Sequence, residues 1–165
     1  MKKTNTKMIT MGAAIAALYV VLTLIANAFG LANYAIQVRF SESLTILPYF
    51  TPVAVPGLFV GCILSNILTG AMPLDVVFGS LATLIGAVLT RVFALKYPEK
   101  KWIAPLPPIV ANTIVVPFVL AYVYKFDGSI PYFMLTVGIG EIISCGILGM
   151  VLLNALCKRK EKLFK

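Results

Sequence analysis

Long stretches of this chain carry no charge at all, among them Met8 to Ile25, Val76 to Thr90 and Ile142 to Cys157. Such runs approach or meet the roughly 20 apolar residues that carry a helix across about 30 Å of hydrocarbon. The chain is therefore read as an all-α membrane protein that crosses the bilayer several times. Its bulk agrees, since 60% of the residues are apolar and only 12% charged, against roughly 25% charged in an ordinary soluble domain.

A net charge of +8 raises the question of nucleic acid, and the placement of the charges answers it. Lys2, Lys3 and Lys7 precede the first apolar run. Lys96, Lys100 and Lys101 fill one loop, and Lys158, Arg159, Lys160, Lys162 and Lys165 close the sequence. This is the pattern of cytoplasmic ends that hold a membrane protein in the bilayer against anionic lipid. No basic face interleaved with aromatics accompanies it, so no nucleic acid partner is expected. The first run follows lysines and meets Ala26-Asn27-Ala28, which has the form of a signal cleavage site. Its apolar core exceeds the roughly 7–15 residues of a signal peptide, and it is read as a retained helix. Cys62, Cys145 and Cys157 lie far apart without CxxC spacing, which argues against a disulfide framework and against a metal site.

Helices are expected over about 8–28, 41–50, 52–69, 74–95, 105–124 and 130–157, in a single integral membrane domain spanning 1–165. Trp102 and the prolines at 105, 107 and 108 announce the fifth, because proline fits a first helical turn where its missing N–H costs nothing. Pro117 should kink it. Ser129-Ile130-Pro131 reads as a cap and first turn for the sixth. The segment from Ser41 to Gly70 is interrupted by Pro48, Pro52 and Pro56, and it crosses either once or twice. Two crossings place every basic cluster on one side, which gives six helices with both termini cytoplasmic. The second helix is too short to cross alone. Its broken backbone must be wrapped by protein or line a cavity.

An ionisable group at the centre of a membrane helix costs on the order of 2.5–3.5 kcal/mol, so each one requires a reason. Arg91, near the cytoplasmic end of the fourth helix, can snorkel to the interface. Asp75 opens the same helix, where a carboxylate either caps free N–H groups or meets a ligand. Gln37-Val38-Arg39-Phe40-Ser41-Glu42 alternates polar and apolar residues. It reads either as a helix start with an internal Arg39–Glu42 pair or as a polar shelf at the outer mouth. Glu141 follows Gly138-Ile139-Gly140, small residues that admit another backbone or a ligand; its alternative use is a pair with Arg39. Asn66 and Asn112 can each donate and accept, between helices or toward a solute. In the first helix, Gly12/Ala16 and Ala13/Ala17 form two small-xxx-small pairs suited either to packing inside the bundle or to a partner.

The chain has no histidine, which removes most zinc and Ser-His chemistry, and no GxxxxGK[ST] loop for ATP. Enzymatic activity and a bound cofactor are not expected. Energy for uphill transport must come from an ion gradient or from a partner.

The segments Gln37 to Glu42 with Leu44-Thr45-Ile46-Leu47-Pro48, Phe78 to Leu84, Ala104-Pro105-Leu106-Pro107-Pro108 with Asn112, and Val137 to Glu141 occur in an order that resembles the queuosine-precursor transporter family of QueT type. These are S components of energy-coupling factor (ECF) transporters, and the resemblance runs nearly the whole length. It implies a six-helix S component that captures a deazaguanine base and docks on a transmembrane T subunit with two ATPases. The Ala13/Ala17 face matches the docking pattern. Asn33 and Tyr34 depart from the apolar, Pro-rich run expected there. A guanine-like edge offers an N–H beside an amine, which one carboxylate accepts in bidentate fashion. Glu42 or Glu141 suits this role. Arg39, Gln37, Asn66 or Asn112 would meet the carbonyl, and Phe40, Tyr34 or Tyr49 would stack on the rings. Expected substrate contacts are thus Gln37, Arg39, Glu42, Asn66, Asp75, Asn112 and Glu141. Other readings are an S component for another vitamin-like substrate, an autonomous carrier driven by proton release from Glu141 or Asp75, and an assembly subunit whose polar groups only join helices.

Overall fold

A computed structural model of the protein describes residues 2–31 and 37–159. Six helical segments follow in order: α1 (Lys2–Ala28), α2 (Phe40–Tyr49), α3 (Ala54–Leu68), α4 (Pro73–Lys96), α5 (Lys101–Val123) and α6 (Ile130–Cys157). Four of them, α1, α4, α5 and α6, are long and apolar enough to cross a membrane. The 15-residue α3 rises only about 22 Å and α2 less still.

The distribution of side chains is that of a protein dissolved in lipid. Ile9, Leu95, Leu135 and Val151 face outward, while Ser41, Glu42, Asn66, Asp75, Asn112 and Glu141 are buried. Membrane helices associate by close packing, with little hydrophobic drive between them. The contact of α1 with α3 uses that principle. A Cβ on Gly61 would lie 2.8 Å from the Tyr19 Cβ and 3.0 Å from the Ala16 carbonyl oxygen. A Cβ on Gly57 would lie 2.8 Å from the Gly12 carbonyl oxygen. The two small-residue pairs of α1 thereby separate: Gly12/Ala16 packs within the bundle, and Ala13 and Ala17 remain exposed on its outside.

From there α3 packs on α4, α4 on α5 and α5 on α6, and α2 is held against α1, α4 and α6. The wrapping that a short, proline-broken helix requires is present, because Ser41, Thr45 and Ile46 are fully buried. α2 winds as a 3₁₀ helix, whose hydrogen bonds are poorer than those of an α-helix. Arg91 of α4 compensates at its end. Its guanidinium donates to the Pro48 carbonyl at 3.2 Å and lies 3.5 Å from that of Tyr49. The side chain expected to snorkel is thus drawn inward by carbonyls that proline left open, a favourable place for a cation at a helix C-terminus.

Two further irregularities follow. Beyond Pro117, α5 changes from α to π geometry over Val119–Val123. α6 begins on a Ser129 cap that accepts from the Tyr132 N–H at 3.4 Å, and it turns to π geometry over Ile142–Leu148 before resuming as α.

Candidate functional site

The ends of α1, α3 and α5 and the start of α4 surround a cavity of about 220 Å³. Its lining includes Thr23, Asn27, Gln37, Arg39, Asn66, Thr69, Asp75, Tyr124 and Phe126. Drug-sized ligands occupy roughly 300–1,000 Å³, so this volume suits one small solute. The lysine-rich loop begins at Lys96, the far end of the 24-residue α4 that starts beside Asp75. The cavity and the basic loop therefore lie about 32 Å apart along that helix.

Asp75 sits in the first turn of α4, where its carboxylate gains from the helix dipole. Its Oδ2 accepts from the Tyr124 hydroxyl at 2.8 Å, and that hydroxyl accepts in turn from the Met72 N–H at 3.2 Å. This relay ties the end of α5 to the start of α4 and fixes the direction of the carboxylate. Lys125 adopts φ +53°, a left-handed conformation uncommon for a side-chain-bearing residue. It lies between Tyr124 and Phe126, whose rings stack with centroids 5.5 Å apart and planes 25° from parallel. The cavity thus has a carboxylate and an aromatic pair among its lining groups.

On the α1 and α2 side, Arg39 caps α2 and lies near the cavity together with Gln37, whose Oε1 is 3.5 Å from the guanidinium. The Arg39 backbone N–H donates to Ser144 Oγ at 3.2 Å. Close approach of this segment to α6 depends on Gly140, because a Cβ there would lie 2.2 Å from the Gln37 carbonyl oxygen. The small residues before Glu141 therefore admit a backbone, that of the segment carrying Arg39.

Glu42, Asn112 and Glu141 do not line this cavity; they form a second polar group deeper in the bundle. Glu42 Oε1 accepts from the buried Tyr19 hydroxyl, whereas Glu42 Oε2 makes no hydrogen bond of good geometry. Asn112 faces both carboxylates. The Cys145 thiol donates to Glu141 Oε2 at 3.1 Å, and its sulfur lies 3.4 Å from the Glu42 carbonyl oxygen and from Thr45 Oγ1. The Thr23 hydroxyl, at 2.8 Å from Ser41 Oγ, connects the cavity wall to the start of α2.

Of the seven expected contacts, Gln37, Arg39, Asn66 and Asp75 meet at the cavity, and the other three stand behind it. The expected stacking residues are distributed otherwise. Tyr49 hydrogen-bonds the Pro98 carbonyl oxygen at 2.7 Å, beside the basic loop. Tyr34 lies outside the described residues, and Phe40 is half-buried at the start of α2. Sequence reasoning passed over Tyr124 and Phe126, which a search for paired aromatics at a helix exit would have found. It also passed over Tyr19, which has no signal within its uniformly apolar run.

Fold and chamber together define a class: a multi-helix membrane protein that encloses room for one small solute. The chain belongs to the QueT transporter family, whose model matches residues 9–158. It is 29% identical over 168 residues to the Queuosine precursor transporter QueT of Lactococcus lactis subsp. cremoris (strain MG1363), covering 98% of each chain. The family is one of transporters, not enzymes. No solved structure matches the chain.

Proposed function

We propose that this protein is the solute-capturing S component of an ECF-type importer and binds a deazaguanine precursor of queuosine in the cavity beside Asp75. The observation that carries the reading is the pairing of an oriented carboxylate with a stacked aromatic pair around a volume fit for one base. A carboxylate accepts the adjacent N–H and amine of a guanine-like edge together, aromatic faces take the ring system, and Arg39, Gln37 or Asn66 donates to the ring carbonyl. The edge-reading role thus passes to Asp75 from Glu42 and Glu141, which lie behind the cavity within reach of the Arg39 charge. The Lactococcus relative, a queuosine precursor transporter, supports the same substrate class.

In this reading both termini are cytoplasmic, and the cavity, at the opposite end of α4 from the basic loop, opens outward. The exposed Ala13/Ala17 face meets the T subunit, which works with two ATPases. Delivery then needs no nucleotide site in this chain. Thermal-shift and equilibrium binding of the purified protein with guanine, 7-deazaguanine and its 7-substituted derivatives tests the site. Preference for deazaguanines, lost in Asp75→Asn, is expected; binding unchanged in Asp75→Asn refutes it. Liposome uptake tests the mechanism. Uptake only with the ATPase module and ATP is expected, whereas uptake by the isolated chain under a pH gradient would establish an autonomous proton-coupled carrier instead.

A further inference from the structure

We propose that Glu42, Glu141 and Cys145 form a binding site for one zinc-type divalent cation in the protein interior, behind the solute cavity and distinct from it. One potential ligand atom from each of the three lies within 4.8 Å of the others, and all three side chains are buried. Cysteine spacing along the chain argues against such a site, because Glu42 comes from α2 and the other two from α6. The fold supplies the juxtaposition that spacing lacks.

The second observation is the orphan oxygen. Glu42 is 2% exposed, and its Oε2 makes no hydrogen bond of good geometry although the Asn112 side chain faces the carboxylate. A buried polar atom left unpaired costs about 1–3 kcal/mol, more when charged. A bound cation removes that cost. Charge leads to the same conclusion. Arg39 acts on both carboxylates and also on that of Asp75, so one shared guanidinium leaves negative charge in the interior that a divalent ion offsets. Neutral clusters are the form in which charge is tolerated away from water.

The donor set selects the ion. A thiolate with two carboxylates suits borderline zinc or its softer analogue cadmium, and a sulfur ligand disfavours calcium and magnesium. With Zn–S about 2.3 Å and Zn–O about 2.0–2.2 Å, tetrahedral ligand atoms stand about 3.5 Å apart. Cys145 Sγ and Glu141 Oε2, at 3.1 Å, are already that close. The Glu42 oxygen, within 4.8 Å of both, closes the set by moving inward, and water completes the fourth position. Binding displaces the thiol proton and any proton held on the carboxylates, since a coordinated thiol is deprotonated. The π geometry of 142–148, where Cys145 lies, is a form that recurs at functional sites.

The full-length protein, purified in detergent and stripped with chelator, is titrated with Cd²⁺ while ultraviolet thiolate-to-cadmium charge-transfer absorption and bound metal are measured. One Cd²⁺ per chain is expected, with a charge-transfer band that Zn²⁺ abolishes by displacement. Cys145→Ser removes the band, and Glu42→Gln and Glu141→Gln each weaken binding at least about tenfold. Cys62→Ser and Cys157→Ser leave the band in place. Substoichiometric cadmium on the wild-type protein overturns the proposal whatever the variants do, and so does a band that survives Cys145→Ser.

Discussion

Replacing Gly140 by alanine tests whether the cavity wall is set by one backbone contact. The added Cβ would lie 2.2 Å from the Gln37 carbonyl oxygen and 3.0 Å from its carbon. Comfortable carbon–oxygen approaches are about 3.3–3.6 Å, so the shortfall is about 1 Å. Neither side can yield by rotating a side chain, because α6 supplies a helical backbone and residue 37 a peptide carbonyl. Relief therefore moves the 37–39 segment away from α6 by about that distance. The move stretches the 3.2 Å bond from the Arg39 N–H to Ser144 and shifts both Gln37 and Arg39 at the cavity. Over-packing of this kind costs about 1–3 kcal/mol. If the strain falls on the binding-competent wall, ligand affinity drops about 5- to 150-fold. Gly138→Ala is the matched control: its Cβ meets nothing nearer than Thr113 at 3.6 Å, and replacing a mid-helix glycine by alanine stabilises by roughly 0.5–1 kcal/mol. Equilibrium ligand binding and the thermal transition of the two purified variants decide the matter. Equal affinity in Gly140→Ala and wild type, or equal losses in both variants, would refute the reasoning.

Other consequences are as direct. Tyr124→Phe removes the donor to Asp75 and the acceptor for the Met72 N–H; binding should weaken about tenfold or more, since hydrogen bonds to charged groups contribute about 1.5–3 kcal/mol, and unchanged titration curves would dismiss the relay. Arg91→Ala strips the Pro48 and Tyr49 carbonyls of their cation. It should lower the thermal transition, at a cost of about 1–3 kcal/mol, yet leave ligand affinity alone, because the cavity is at the other end of α4. Ala17→Trp adds bulk on the outward face of α1. It should leave binding by the free protein intact and reduce ATP-driven uptake with the partner module, so normal uptake would remove this face as the docking surface.

How much of this was legible in the sequence depended on what kind of pattern carried it. Uncharged length announced α1, α4 and α6, and Ser129 with Pro131 marked the start of α6 within a residue. The small residues of α1 were visible, but spacing alone could not say which pair faced inward; the partners Gly57 and Gly61 sit on another helix. Glu42, Asn66, Asp75, Asn112 and Glu141 are buried as a membrane interior requires, with Gln37 and Arg39 half-buried, but only tertiary packing divided the seven into a cavity set and a deeper set. Neither Arg91 reaching back to α2 nor Cys145 approaching Glu42 leaves a local trace, because each joins residues more than 40 apart. The aromatic pair was missed for another reason. Two aromatics at a helix exit could have been noticed, but their stacking turns on one left-handed residue, Lys125, a conformation that favours glycine.

The irregular helices occur where the polar interior is. A chain that had only to cross lipid would do so with straight α-helices, whose backbone bonds are complete within each segment. Here the 3₁₀ turn of α2 carries Glu42, the π turn of α6 carries Ser144 and Cys145, and the π turn of α5 leads directly into Tyr124. Each gives up good backbone hydrogen bonding, and each turns part of itself inward: Ser41, Leu120, Ser144 and Cys145 are all buried. From one widened turn Ser144 receives the Arg39 N–H while Cys145 reaches the Glu42 carbonyl, so a single irregularity holds both ends of the first turn of α2. The loss in local bonding is offset by side chains from distant segments, and the same exchange leaves polar groups free to meet a solute where lipid cannot enter.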